Sequence, residues 1–357
     1  MVAIATSFLI RADSLLDIPS GAGEEIGAFD IDETGVVVSF GGLTDATSSV
    51  RRMAANGVTS WSTAVAGTVF QIGIHHARTI VEMSNPAKLV VLRSADGSPL
   101  TQFASFSRAN DLRVSPNGDA IVSFKSSFRA GAGNFVDVTS VDTGQVRHLT
   151  VPAPVGTAAA VDPDRILVLT TDGVLELWQG SVRLWAQQVG FDDLELLTLS
   201  RDGSRVLVKL PLGECKVVDV QTGRIVFSYA TNNPESALAL LGVRDLAIAQ
   251  LQAGLIRRPN DAAVTLLNIA ASYSPSFADG GLVLRPPDWA LDLPFVRVDL
   301  SDGTTSLRTT FRAVREKLSH GSTQLSAAVQ AADRLEVRHQ GGRTAVKLPG
   351  HVVILGD

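Results

Sequence analysis

Glycine-bearing tight turns recur at a nearly constant interval along this 357-residue chain. No other feature restricts its fold so strongly. Asp-Gly, Asn-Gly and Thr-Gly pairs mark reversals of an extended chain, because glycine accepts the positive φ that tight hairpins need. Two interleaved series are visible. One runs Asp32-Glu33-Thr34-Gly35, Ser115-Pro116-Asn117-Gly118, Asp162-Pro163-Asp164, Ser200-Arg201-Asp202-Gly203, Asp279-Gly280 and Ser319-His320-Gly321, with weaker members near Ala77 and Arg244. The other runs Asn56-Gly57, Asp96-Gly97, Asp142-Thr143-Gly144, Gln179-Gly180, Thr222-Gly223, Asp302-Gly303 and Gly341-Gly342, with a member near Asp261. Each series returns after about 41 residues, the length of a unit of four short strands.

Between the turns lie short runs rich in Val, Ile, Leu and Thr. One unit reads as strands over 194–199, 205–210, 216–220 and 224–229, separated by Arg201-Asp202-Gly203, Pro211-Leu212-Gly213 and Gln221-Thr222-Gly223. Val206, Val208 and Leu210 alternate with polar neighbours only in part. Near-continuous apolar strands are expected where a sheet is covered on both faces. Two stretches, 235–256 and 311–335, have helical propensity, but the neighbouring turns make strands the better reading of both. The expectation is an all-β chain: a β-propeller of about eight four-stranded blades over residues 26–357, or seven if residues 235–280 merge. Residues 1–25 precede the first unit, and a strand from this segment would complete the last sheet and close the ring without a bare edge.

Composition agrees. Hydrophobic residues make up 45% and charged residues 19%, enough for a packed core and unlike a disordered chain. A net charge of −5 and a pI near 5.7 point away from nucleic acid and from anionic membrane surfaces. No basic residue precedes the apolar start Met1–Ile10, and no uncharged apolar run reaches the roughly 18 residues of a spanning helix. A soluble, cytoplasmic protein is expected. The single cysteine, Cys215, lies in an apolar alternation and reads as a buried, inert thiol.

The Ser115-Pro116-Asn117-Gly118 and Val218-Asp219-Val220-Gln221-Thr222-Gly223 segments resemble WD40-type and related bacterial propeller repeats, and the likeness in period and turns covers most of residues 26–357. It departs from the family in lacking the Gly-His and Trp-Asp pair, which marks a divergent relative; a quinoprotein-like propeller is the neighbouring alternative. A complete repeat framework, the lack of a chemical motif and one face of irregular loops make a non-enzymatic protein-interaction or scaffold module, with a protein partner on that face, the expectation. In such a unit the first-to-second and third-to-fourth turns share one face. Second-to-third loops share the other, here 41–49, 126–134, 252–261 and 285–294.

The sharpest candidate on that loop face is Arg285-Pro286-Pro287-Asp288-Trp289-Ala290. Two prolines stiffen it, and Trp289, flanked by Arg285 and Asp288, has the area of an interface anchor; local core is the plainer role. Arg257 and Arg258, like Arg51 and Arg52, offer contacts for an acidic partner or are solvated surface charge. Trp61, Trp178 and Trp185 fall within strands and read as core.

For catalysis, no G-x-S-x-G, Walker, H-E-x-x-H or paired-cysteine motif occurs, and Gly131-Ala132-Gly133 lacks a following Gly-Lys-Ser/Thr. His75 and His76, if on a strand, point to opposite faces and cannot chelate one ion together. No cofactor is expected. The alternative is a divalent site: Glu25, Asp111, Asp193 and Glu235 stand near the starts of innermost strands, where oxygens converging at the channel mouth would suit Ca²⁺ or Mg²⁺. Propeller lactonases and related hydrolases use such an ion as a Lewis acid, so this reading implies a propeller enzyme or small-ligand binder.

Overall fold

A computed structural model describes residues 15–19, 24–32, 34–41, 46–54, 56–85, 87–104, 111–125, 133–190, 196–210, 214–230, 237–241, 246–250, 255–258, 264–268, 273–278, 281–286, 292–299, 305–310, 312, 316, 336–340, 343–348 and 350–356. Thirty-two strands form eight four-stranded sheets. β1 is Leu15–Pro19. The first sheet holds β2 (Ile26–Asp32), β3 (Gly35–Phe40), β4 (Thr47–Ala54) and β5 (Thr59–Ala66). The second holds β6 (Thr68–His75), β7 (Arg78–Asn85), β8 (Ala87–Arg93) and β9 (Pro99–Ala104). The third holds β10 (Asp111–Val114), β11 (Ala120–Phe124), β12 (Phe135–Ser140) and β13 (Val146–Thr150). The fourth holds β14 (Val155–Ala160), β15 (Arg165–Thr170), β16 (Val174–Gln179) and β17 (Val182–Gln188). The fifth holds β18 (Leu196–Leu199), β19 (Arg205–Lys209), β20 (Cys215–Asp219) and β21 (Ile225–Tyr229). The sixth holds β22 (Ala237–Leu241), β23 (Leu246–Gln250), β24 (Leu255–Arg258) and β25 (Val264–Asn268). The seventh holds β26 (Ser274–Ala278), β27 (Gly281–Arg285), β28 (Pro294–Asp299) and β29 (Thr305–Thr310). The eighth holds β30 (Glu336–Gln340), β31 (Arg343–Leu348) and β32 (His351–Gly356), with β1 paired antiparallel to β32 from Leu15↔Leu355 to Pro19↔His351.

The strand reading of 235–256 is met by β22 and β23, and residues 237–268 form a sheet of their own, which gives eight sheets and not seven. Two expectations change. Gly341-Gly342 joins β30 to β31 and so makes a first-to-second turn, because the last sheet takes its outer strand from the N-terminal side. Arg312 and Glu316 are helical, against the strand reading of 311–335, whose other residues, Ser319-His320-Gly321 included, lie outside the described ones.

By contact the chain divides into two units, Met1–Ile74 with Met83–Asn85 and Ser272–Asp357, and His75–Glu82 with Pro86–Ala271. Within each, the core lies between successive sheets. β15 shows why its strand is apolar throughout. Ile166 and Val168 join Ala120, Val122 and Phe124 of the third sheet, while Leu167 and Leu169 join Val206 and Val208 of the fifth. Alternate residues point to opposite faces, so a sheet covered on both sides needs apolar residues at every position. In the first unit Phe29, Val36, Val38 and Phe40 likewise pack with Ala345, Val352 and Ile354 of the eighth sheet. Trp61 and Trp178 are buried, and Trp185 is partly buried against the core of the fourth and fifth sheets.

Long polar side chains stitch neighbouring sheets by capping main-chain carbonyls. Arg147 donates to the carbonyls of Pro163 and Asp164 at 3.1 and 3.0 Å, Lys347 Nζ donates to that of Gly27 at 2.5 Å, and Lys216 Nζ to that of Val189. The indole N–H of Trp185 reaches the Val220 carbonyl at 3.0 Å. Turn chemistry follows the motif residues. Asp219 Oδ1 accepts from Thr222 N and Oγ1 at 2.9 Å each, leaving Gly223 at φ +70 to reverse the chain.

Candidate functional site

The second-to-third loop of the seventh sheet enters from β27 and leaves into β28. Its exit is fixed by residues outside the motif that drew notice in the sequence. Pro286 is buried at the entry. At the exit, buried Tyr273 donates its hydroxyl to the Pro294 carbonyl at 2.9 Å, and burial pushes the phenol above its usual range. Arg312 then forks onto Asp292, Nη2 donating to Oδ2 at 3.0 Å and Nε to Oδ1. Those hydrogen bonds hold the Asp292 carboxyl below the usual range and draw Arg312 upward. A loop whose exit is anchored in this way loses less entropy when it meets a partner.

Arg285 is the last residue of β27, paired with Ser274; Asp288 and Trp289 lie outside the described residues. Arg257 and Arg258 are not loop residues as expected. They belong to β24, opposite Thr265 and Val264, because the loop 252–261 contains a strand that the sixth sheet needs to complete its four. Arg51 and Arg52 are engaged as well. Arg51 makes a fork on Glu24 at 2.6 and 3.2 Å and lies 4.3 Å over the Phe40 ring. Arg52 is buried and donates to Asp32 Oδ2 at 2.5 Å and Thr34 Oγ1 at 2.6 Å. The Asp32 carboxyl lies below its usual range: burial works the other way, but the Arg52 and Thr34 hydrogen bonds outweigh it.

The acidic set is only partly described. Glu25 is exposed, its carbonyl accepting from Gly41 N at 2.8 Å; Asp111 opens β10; Asp193 and Glu235 lie outside the described residues. Among the described residues no group of three or more His, Cys, Asp or Glu is arranged to hold a metal. Buried Cys215 has its thiol pushed up to about 11 by desolvation, which leaves it protonated and unreactive at neutral pH. No described helix is long and apolar enough to cross a membrane.

His75 ends β6, but His76 turns out of the strand with φ 49, which corrects the placing of both on one strand. Burial depresses the His75 imidazole below its usual 6.5, although the Pro116 carbonyl favours its protonated form. The unfolded chain therefore takes up the proton first. Stability is full above about pH 6.5 and falls as the pH drops below it. Melting temperature measured from pH 7.5 to 5 should fall, and His75→Gln should flatten that fall; an unchanged slope in the variant would refute the assignment.

Successive antiparallel four-stranded sheets, packed face on face, define the class: a β-propeller. No family model and no curated protein matches the chain. Solved structures do. The C-terminal WD40 domain of Sif2 is similar at TM-score 0.60 and 13% identity, covering 96% of this chain and 98% of that one. BamB from Moraxella catarrhalis matches at TM-score 0.52 and 13% identity, with the same coverage of 96% and 98%. The computationally designed Ika8 protein matches at TM-score 0.57 and 12% identity, covering 94% and 96%. At these identities the likeness is one of fold.

Proposed function

We propose that this propeller is a non-enzymatic protein-interaction module that binds through its second-to-third loops, with the β27–β28 loop as the principal contact and Trp289 as its anchor. The observation that carries the reading is the anchored exit of that loop, held by Tyr273 at Pro294 and Arg312 at Asp292. Rigid display of one aromatic from a fixed loop concentrates affinity in few residues. The WD40 domain and BamB resemblances support a binding role by analogy of fold alone.

The test is affinity capture with the full chain, followed by binding measurements on the captured protein. Trp289→Ala should weaken binding at least tenfold, the loss of a hot-spot aromatic. Gln145→Ala, in a third-to-fourth turn, should leave it unchanged. Equal binding by wild type and Trp289→Ala would remove Trp289 as anchor, and loss in the turn variant alone would move the interface to the other face.

A further inference from the structure

One outer strand of this protein lacks the protection that most of the others carry. The register between third and fourth strands breaks in six of the eight sheets, for example at Leu177/Trp178 and at Val217/Val218. A bulge there bends and twists the outer strand, which spoils it as a template for another chain. The eighth sheet has no break, but its outer strand β1 arrives from the other end of the chain. β13 is different. It leaves β12 by an ordinary tight turn, and its pairing runs unbroken from Phe135↔Thr150 to Thr139↔Val146.

The phase of that ladder decides which main-chain groups face outward. Ser140 N donates to the Gln145 carbonyl at 2.9 Å, and Val151 N to the Asn134 carbonyl at 2.8 Å. Bonded pairs recur at every second residue of an antiparallel ladder, so residues 145, 147, 149 and 151 bond to β12. Val146, His148 and Thr150 therefore turn their N–H and C=O groups away from it, on the last strand of the sheet. Their side chains share one face and are exposed, Val146 at 64%. The opposite face is tied down: Leu149 is buried, and Arg147 caps the Pro163 and Asp164 carbonyls. His148 is fixed too, with Nδ1 2.5 Å from Asp137 Oδ1 and its ring stacked on Phe135 at a centroid distance of 5.0 Å.

We propose that β13 pairs antiparallel with β13 of a second copy of this chain, about a two-fold axis through His148. The edge is self-complementary in just that register. Val146 of one copy stands opposite Thr150 of the other, His148 opposite His148, and every outward-facing residue finds a bonded partner. Two β-branched side chains make a favourable cross-strand pair. The imidazoles meet with a carboxylate, Asp137, behind each, and Arg147 is turned to the other face, so no uncompensated like charges oppose each other. Three paired residues from each copy make a small contact, which sets a reversible, concentration-dependent dimer. The edge belongs to neither the loops nor the turns, so this reading stands or falls independently of Trp289.

Sedimentation of the full chain at rising concentration should show a reversible monomer–dimer equilibrium. In amide hydrogen exchange, Val146, His148 and Thr150 should slow about tenfold or more from dilute to concentrated protein, while Arg147 and Leu149 stay slow in both. Val146→Lys should weaken the dimer about tenfold, since an edge lysine opposes strand addition and the two-fold axis counts it twice. Val182→Lys makes the same change at an exposed valine of the bulged strand β17 and should leave the dimer intact. A monomer at every concentration, or a dimer in which the three outward amides stay fast, would overturn the proposal. So would equal weakening by the two lysine variants. Slowing of those amides only when a captured partner protein is added would give the edge to that partner and refute the second copy.

Discussion

Gly35→Ala should lower the free energy of unfolding by about 3 kcal/mol, an overpacking cost with nowhere to relax. Gly35 opens β3 opposite Ala54, and a Cβ there would stand 2.1 Å from the Met53 carbonyl oxygen. The obstacle is main chain of the paired strand, so no rotamer change relieves it. The cost differs in kind at Gly180, where the nearest atom to an added Cβ is 3.9 Å away but φ is +59. There alanine should cost only about 1 kcal/mol, through the left-handed backbone alone. Urea unfolding of both variants separates the cases; a Gly35→Ala loss below that of Gly180→Ala would contradict the strand packing described.

Leu169→Ala should cost about 3–4 kcal/mol, through lost transfer energy and the cavity left behind. Leu169 is fully buried on β15 and belongs to the cluster shared with the fifth sheet, alongside Leu175, Leu177 and Val208. Both walls of that cavity are strands in hydrogen-bonded sheets, which collapse poorly into a void. Leu184, on the outer strand β17 of the same sheet, is 48% exposed, and Leu184→Ala should change stability by less than about 0.5 kcal/mol. Denaturant midpoints measure both. Similar losses at the two positions would mean that the faces of β15 do not pack between sheets.

Much of the fold was legible before any coordinates. The strands predicted over 194–229 match β18 to β21 within two residues at each end, because Asp202-Gly203 and Thr222-Gly223 state both where the chain reverses and how. The candidate site was less legible. Pro286 and Pro287 flagged the β27–β28 loop, but nothing near it in sequence announced Tyr273 or Arg312, which act across 21 and 20 residues. Arg52 looked like surface charge beside Arg51, yet period-2 alternation sends the two to opposite faces, and only Asp32, two strands away on β2, explains a buried guanidinium.

Local rules sufficed wherever a residue's role depends on its own backbone: glycine at positive φ, aspartate and threonine closing a turn, apolar residues at every position of a strand. These features determined an all-β chain of four-stranded repeats from the sequence by itself. The outer strand that the N-terminal segment was expected to lend the last sheet is Leu15–Pro19, but only the tertiary structure showed that β30 and β31, joined through Gly341-Gly342, are therefore first and second strands. The tertiary structure also decided which charges meet: Arg52 with Asp32, and Arg312 with Asp292. The reason is physical. Turn and strand propensities act over a few residues, whereas ion pairs and sheet edges are satisfied by whatever the tertiary packing brings alongside.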